Sequence, residues 1–417
     1  MNSLKRFFLI LLSLTIFLAP LTSWAVTEKG FKNLHIFTKV LSYLEDNYVD
    51  EIDEEKVIRG AIAGMLGTLD PHTVYMSPEV FKELKVDTKG RFDGIGLEVA
   101  IRDGVLTVIA PISGTPADRA GIQPGDKIIR INGQSTEHTD LAEAITKMRG
   151  KRGTKVKLTI IREGSKKPHY FTIMRQAINV PSVRAERIDG YVYVHISSFQ
   201  EGTAKELKKA LKKLQKENSL HGLILDLRKN PGGLLDEAVA VSNLFLKKGI
   251  IVTTESRGQE VDRVQASEEG DKFEVPMIVL VDEGSASASE IVAGALQDNK
   301  QAMIFGSKTF GKGSVQTVVE LDDGSGLKLT VARYFTPKGR SIQAHGIEPD
   351  VKVPAKAPKV ELKEGVVREE ALVGHLEAPE GKEPTSETPQ DLTKDYQIKV
   401  ALDYLKSWEI FQSKTNE

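Results

Sequence analysis

The stretch VDEGSASASEIVAGAL, residues 281–296, sets the end of one apolar run against the start of a helix-like run, with Ser285, Ser287 and Ser289 on alternate positions between them. A buried strand that turns directly into a helix is a unit of an α/β layered core. Such a junction also gives a serine two physical advantages. Its hydroxyl is held out of the core, and the helix's unpaired N–H groups can receive negative charge developing on a nearby oxygen. Ser287 and Glu290 equally match the Ser-x-x-Glu capping box. From this stretch alone, Ser287 is either a helix cap or a nucleophile.

Outward from it, β and α segments alternate from about Val180 onward. Strands are predicted at YVYVHI (191–196), GLILDL (222–227), IIVTTE (250–255), MIVLVD (277–282) and AMIFG (302–306). Helices are predicted at TAKELKKALKKLQKE (203–217), LLDEAVAVSNLFLKK (234–248) and ASEIVAGALQD (288–298). SVQTVVELDDGSGLKLTVARYF (314–335) reads as a β-hairpin turning at Asp322-Asp323-Gly324.

A nucleophilic serine needs a proton acceptor from elsewhere in the chain. LDPHT (69–73) holds Asp70 and His72 together, which admits a Ser-His-Asp arrangement. The intervening proline turns the two side chains apart, however, and favours a helix-ending turn. IFGSKTFGKGSVQTVVEL (304–321) offers Lys312. Gly306 to Gly313 nearly spells the phosphate-binding pattern Gly-x4-Gly-Lys-[Ser/Thr], but Gly313 stands where the metal-binding hydroxyl belongs. Gly311 and Gly313 instead let the backbone pack closely while Lys312 points inward beside Phe310. Burial disfavours an ammonium ion, and a neutral amine can take a serine's proton.

The preceding region is punctuated differently. GLEVAI (96–101), GVLTVIAPI (104–112), KIIRI (127–131), TKVKLTIIR (154–162) and HYFTIMR (169–175) are short strands. PADRAG (116–121) and TDLAEAITKMRG (139–150) are helices stopped by glycine. FDGIGLEVA (92–100) and SGTPADRAGIQPGDKIIRING (113–133) make this part resemble a PDZ domain. That resemblance implies a loop, Gly94-Ile95-Gly96-Leu97, offering backbone N–H groups to a terminal carboxylate, with the peptide adding as a strand beside it. The helix starting near Asp140 forms the other wall. Arg149, at its end, reads as a cation placed on the helix C-terminus rather than one reaching towards the core.

The ends of the chain add their own signals. MNSLKRFFLILLSLTIFLAPLTSWAV has the basic start, apolar stretch and small-x-small site (Ser23-Trp24-Ala25) of an export signal. Its apolar run, broken by Pro20, is short for a span of ~20 residues. Cleavage gives an exported, periplasmic protein; retention leaves it anchored to the inner membrane. Both stay open here. NLHIFTKVLSYLEDNYVD (33–50), EEKVIRGAIAGMLGTLD (54–70) and MSPEVFKELK (76–85) read as helices, the last capped by Ser77. Residues 354–391, rich in Pro, Glu and Lys, read as a linker before a closing helix in KDYQIKVALDYLKSW (394–408).

Composition limits what the chain does. There is no cysteine, which excludes disulfides and thiolate catalysis. Its 57 basic and 58 acidic residues nearly cancel, which argues against general nucleic-acid binding.

DLRKNPGGLL (226–235), GSASASEIVAGALQD (284–298), TFGKGSVQ (309–316) and RYFTPKGRSIQAHGIEPDV (333–351) together resemble the carboxy-terminal processing peptidases, or tail-specific proteases. The resemblance spans nearly the whole mature chain. It implies an α/β multidomain protein: a ββα protease core like that of Clp protease and crotonase, an inserted PDZ domain, and helical N- and C-terminal segments. The corresponding spans are a signal peptide (1–25), a helical segment (26–86), the PDZ domain (87–177), the protease core (178–354), and a linker with a terminal helix (355–417). It further implies Ser287 as nucleophile, Lys312 as general base, Gln316 orienting that lysine, and oxyanion donors at the N–H groups of Ala288 and Gly233, with Gly232 next. Ser285 and Ser289 are then neighbours facing elsewhere. No metal, nucleotide or other cofactor is implied, and the partners are protein or peptide tails. The terminal helices act as caps or as homodimer contacts. Relatives carry glycine followed by a basic or polar residue where this chain has Ala344-His345. A catalytically silent peptide-binding scaffold and a nucleotide binder remain the alternative classes.

Overall fold

A computed structural model describes residues 27–357 and 395–415, except His138 and Lys166. The export signal and most of the linker lie outside the described residues. The chain divides into two compact units after Tyr75.

In the first unit, α1 (Glu28–Asn47) starts where Thr27 Oγ1 accepts from the Gly30 N–H at 3.1 Å. Asp53 caps α2 (Glu54–Gly67) by accepting from the Lys56 N–H at 3.0 Å. No residue of α1 is buried. Asp70 closes the turn after α2, accepting from the N–H groups of His72 and Thr73 and from Thr73 Oγ1. Its carboxylate thus organises the local turn. β1 (Val74–Met76) follows.

The second unit opens with α3 (Pro78–Lys89) and β2 (Arg91–Gly94). A small sheet then uses β3 (Leu97–Arg102), β4 (Val105–Pro111), α4 (Pro116–Arg119), β5 (Lys127–Ile131), β6 (Gln134–Ser135), α5 (Leu141–Met148), β7 (Lys155–Ile161) and β8 (His169–Met174). Its strand order is β3-β4-β5-β7-β8, so β3 is an edge. β9 (Gln176–Asn179) returns antiparallel to β2, Arg91 opposite Asn179, and closes a two-stranded stem at the base of this inserted domain. The stem is fastened below: the Val180 N–H donates to Gly90 O, and the Glu201 N–H donates to Thr88 O.

Beyond the stem come β10 (Val183–Ile188), β11 (Tyr191–Ile196), α6 (Thr203–Glu217), β12 (Leu223–Asp226), α7 (Leu235–Asn243), β13 (Ile250–Ser256) and β14 (Gln259–Gln265). They are followed by β15 (Met277–Val281), α8 (Ala288–Asp298), β16 (Met303–Gly306), β17 (Ser314–Glu320), β18 (Gly326–Phe335), β19 (Val351–Lys352) and α9 (Tyr396–Thr415). The main sheet runs β10-β11-β12-β15-β16-β19, parallel from β11 onward. Parallel strands buried on both faces read as unbroken apolar runs, because each pleat face meets its own layer. On one face Val192, Val194, Leu223, Leu225, Val279 and Val281 pack with Leu207 and Leu211 of α6 and with α7 and α8. On the other, Tyr191, Tyr193, Ile224, Ile278, Leu280 and Phe305 pack with Ile398, Ala401, Leu402 and Leu405 of α9. Truncating one of these leucines to alanine removes about 2–5 kcal/mol. A second sheet pairs β17 with β18, β18 with β13, and β13 with β14.

The sequence reading contained neither β10 nor β14, nor the β2–β9 stem. β14 is mostly exposed and rich in charge, so it lacks the apolar alternation that marks a strand.

Candidate active site

The site lies where β12 and β15 run out into loops, at the carboxyl ends of the parallel strands. β15 ends at Val281, and the chain turns through Asp282 to Ala286 into α8. Ser285 and Ser289 are fully buried and anchor this turn. Ser285 Oγ donates to Leu227 O at 2.8 Å, and Ser289 Oγ donates to Asn230 O at 3.0 Å. Ser287 is partly exposed. Its backbone has φ +52° and ψ −110°, outside the regions L-residues ordinarily occupy. Strain of this kind persists only where the surroundings impose it, and it clusters at functional sites.

One carboxylate supplies much of that imposition. Glu290 is fully buried. Its Oε2 accepts from the Ser287 N–H at 2.8 Å and from the Lys312 N–H at 2.9 Å. Its Oε1 accepts from Thr309 Oγ1 at 2.6 Å and from the Gly311 N–H at 2.7 Å. Burial pushes this carboxyl above its ordinary range, and the four donated hydrogen bonds pull the other way. From the sequence Glu290 was legible only as the third residue of a capping box. Its bridge to the lysine loop spans 19–22 residues and carries no local signal.

Lys312 is half-buried, and its Nζ donates to Gln316 Oε1 at 3.1 Å. Burial lowers the lysine's pKa from its ordinary 10.5, the nearby Lys328 charge lowers it further, and Glu290 opposes both. Phe310, two residues before the lysine, is 64% exposed. The two glycines flanking Lys312 are sterically required. A Cβ at Gly313 would collide with the Gln343 backbone, and one at Gly311 would sit 3.2 Å from the Gly346 nitrogen. This loop leads into a strand rather than a helix, so it has no helix N-terminus on which a phosphate would sit. The nucleotide-binding alternative therefore lacks its structural basis.

The Asn-Pro-Gly-Gly turn after β12 packs on Ser287. Gly232 has φ +102°, and a Cβ there would lie 2.8 Å from Ser287 Cβ and 3.0 Å from the Ala288 nitrogen. The Gly232 N–H is committed to Asn230 Oδ1 at 2.9 Å. Phe199 pairs across Gly233: its N–H donates to Gly232 O and its carbonyl accepts from the Leu234 N–H. In a parallel bridge of this kind, the polar groups of the central residue point away from that partner. Asn230, which the sequence reading passed over, holds the turn in place. Its Nδ2 donates to Ile196 O at 2.8 Å, and its carbonyl accepts from the Ala286 N–H at 3.0 Å.

A separate groove lies between β3 and α5, enclosing about 430 Å³ beside Ile95, Leu97, Ile112, Ile145 and Met148. The carbonyls of Ile95 and Gly96 are held from behind by the N–H groups of Ala117 and Ile112, at 2.9 and 3.0 Å. Gly94 and Gly96 also line the groove, so all four residues of the expected carboxylate loop border one space. Arg149 is the C-cap residue of α5, as expected, but it does not act there alone. The carbonyls at the end of α5 accept from Arg175, at 2.8 Å for Lys147 O and 3.0 Å for Met148 O. The Arg149 guanidinium lies 4.9 Å over the Phe92 ring, at the groove wall.

Comparison with known proteins agrees with this architecture. Residues 190–353 match peptidase family S41, residues 107–162 a PDZ domain, and residues 21–80 the N-terminal domain of the activating protease CtpB. A carboxy-terminal-processing protease of Bartonella bacilliformis is 42% identical over 389 residues, covering 91% of this chain and 89% of that protein. The carboxy-terminal processing protease CtpA of Bacillus subtilis is 39% identical over 362 residues, covering 84% and 77%. Among solved structures, the photosystem II D1 C-terminal processing protease aligns with a TM-score of 0.47 and 31% identity, over 79% of this chain and 89% of that one.

Proposed function

The chain belongs to the carboxy-terminal processing proteases, serine peptidases of family S41 that carry a PDZ domain, and from that premise we propose that it is an exported endopeptidase working through Ser287 and Lys312. In this reading neutral Lys312 Nζ takes the proton of Ser287 Oγ as the oxygen attacks the scissile carbonyl carbon. The negative charge then forming on the carbonyl oxygen meets the N–H groups of Ala288, at the start of α8, and Gly233, with the helix N-terminus adding positive potential. Lys312, now charged, returns the proton to the leaving amine. Water then hydrolyses the acyl-enzyme by the same path in reverse order. Gln316, accepting from Nζ, fixes where the lysine points.

The observation that carries this reading is the shared carboxylate oxygen of Glu290, which holds the backbones of Ser287 and Lys312 in one frame. Of the two glycines, Gly233 is the better oxyanion donor because the Gly232 N–H is already engaged. Substrates enter by their C-terminal tails. The groove beside Gly94, Ile95, Gly96 and Leu97 accepts the terminal carboxylate, and its apolar lining accepts the last side chain.

Export rests on the sequence of residues 1–25. No helix among the described residues is long and apolar enough to cross a membrane. Cell fractionation, with the mass of the recovered N-terminus, separates a cleaved signal from a retained anchor. The functional test is cleavage of one peptide offered as a free acid and as an amide. The free acid is cut with the higher kcat/KM, and equal rates would remove the tail from substrate selection.

A further inference from the structure

The groove also carries a charge that the tail reading has not used. β3 is the free edge of its sheet, and Glu98 lies on it, lining the groove. Leu97 and Val99 pack into the domain core, whereas Glu98 is exposed on the alternate face. Its cross-strand neighbour on β4 is Ala110, a methyl group that offers a carboxylate no partner. The pairing of β3 with β4 shifts register between Glu98 and Val99, but the extra residue is Ile109 on β4, so β3 keeps the regular alternation of an edge strand.

A peptide added antiparallel to β3, with its carboxylate at the loop ending in Leu97, has a determined register. Its last residue stands opposite Leu97, its penultimate residue opposite Glu98, and the one before opposite Val99. Directly opposed residues project to the same face, with Cβ atoms about 4.5–5.5 Å apart. The last and third-last side chains therefore enter the groove, and the penultimate one stands beside the Glu98 carboxylate. We propose that Glu98 reads the penultimate residue of the bound tail and selects a lysine or arginine there. This rests on the reading that the groove takes C-terminal tails, and it adds the chemical class of tail preferred.

The test uses the full chain carrying Ser287→Ala, so that binding is measured without cleavage. Fluorescent ten-residue peptides identical except for Lys, Gln or Glu at the penultimate position are titrated, each as free acid and as amide. The free acids bind in the order Lys, Gln, Glu, with roughly three- to ten-fold between the extremes. The order flattens in Glu98→Gln, reverses in Glu98→Lys, and narrows in high salt as exposed charges are screened. If free acids bind better than amides but penultimate charge has no effect, the proposal falls and the tail reading stands. If acids and amides bind alike, both fall. An unchanged order in Glu98→Lys and Glu98→Gln would assign the preference to another residue and overturn the proposal.

Discussion

Ser287 and Lys312 are joined through a single carboxylate oxygen: the backbone N–H of each donates to Glu290 Oε2, at 2.8 and 2.9 Å. The turn that exposes the serine and the loop that carries the lysine thus share one buried anchor. A shift of either relative to the other must break a hydrogen bond to a buried carboxylate.

Glu290→Gln keeps the shape and replaces one acceptor oxygen by an NH₂ group, which faces N–H donors and cannot accept from them. The frame holding the two proposed catalytic groups loosens, and misplacement by about 1 Å is enough to lose roughly 10²-fold in rate. Steady-state kinetics should show that loss in kcat with little change in KM, while far-UV circular dichroism stays that of the parent. Parental kcat in a folded Glu290→Gln protein would contradict the bridging role.

In the proposed mechanism Lys312 sets the pH dependence. The amine must be neutral to act, and burial together with Lys328 holds its pKa below 10.5, so kcat/KM rises with pH through that lowered value. Lys328→Met removes a like charge and should move the rise to higher pH. Lys312→Arg should be inactive, because a guanidinium gives up no proton in this range. The sign for stability follows from the same shift. The unfolded chain binds this proton more tightly than the folded one, so Lys312 destabilises the fold at neutral pH, and that penalty fades as pH rises towards 10.5. Lys312→Met should therefore be inactive yet melt at a higher temperature than the parent at pH 7.

What the sequence made legible were the features carried by local spacing. Ser287 sits at a strand–helix junction, Lys312 sits between two glycines, and Leu207, Leu211 and Leu214 line one face of α6. Partners distant along the chain were not legible. Arg175 caps α5 from 27 and 28 residues away, and Asn230 reaches the serine turn from another strand end. Arg149 is at the helix end by adjacency in sequence, whereas Arg175 arrives there through the pairing of β7 with β8.

Ala344 stands where the resemblance implies a glycine, and the backbone there favours one. It has φ +61°, a left-handed conformation that strains any residue with a Cβ, and its N–H donates to Gly311 O at 2.9 Å beside the lysine loop. Ala344→Gly should stabilise the protein by about 1 kcal/mol, since relief of the left-handed strain, ~1–2 kcal/mol, exceeds the added freedom of glycine in the unfolded chain. Equilibrium denaturation measures this, and a lower midpoint with an unchanged slope would mean that the strain is absent.

The assignment of the nucleophile is tested most directly by turnover of one free-acid peptide by Ser287→Ala and Ser285→Ala, assayed side by side. Ser285 Oγ is buried, accepting from the Asp282 N–H and donating to Leu227 O, so its loss weakens the turn but leaves the reacting groups in place. Ser287→Ala should lose roughly 10⁴-fold or more, because nucleophile and base act as one unit. Ser285→Ala should retain measurable turnover. An active Ser287→Ala protein beside an inactive, folded Ser285→Ala protein would contradict the account.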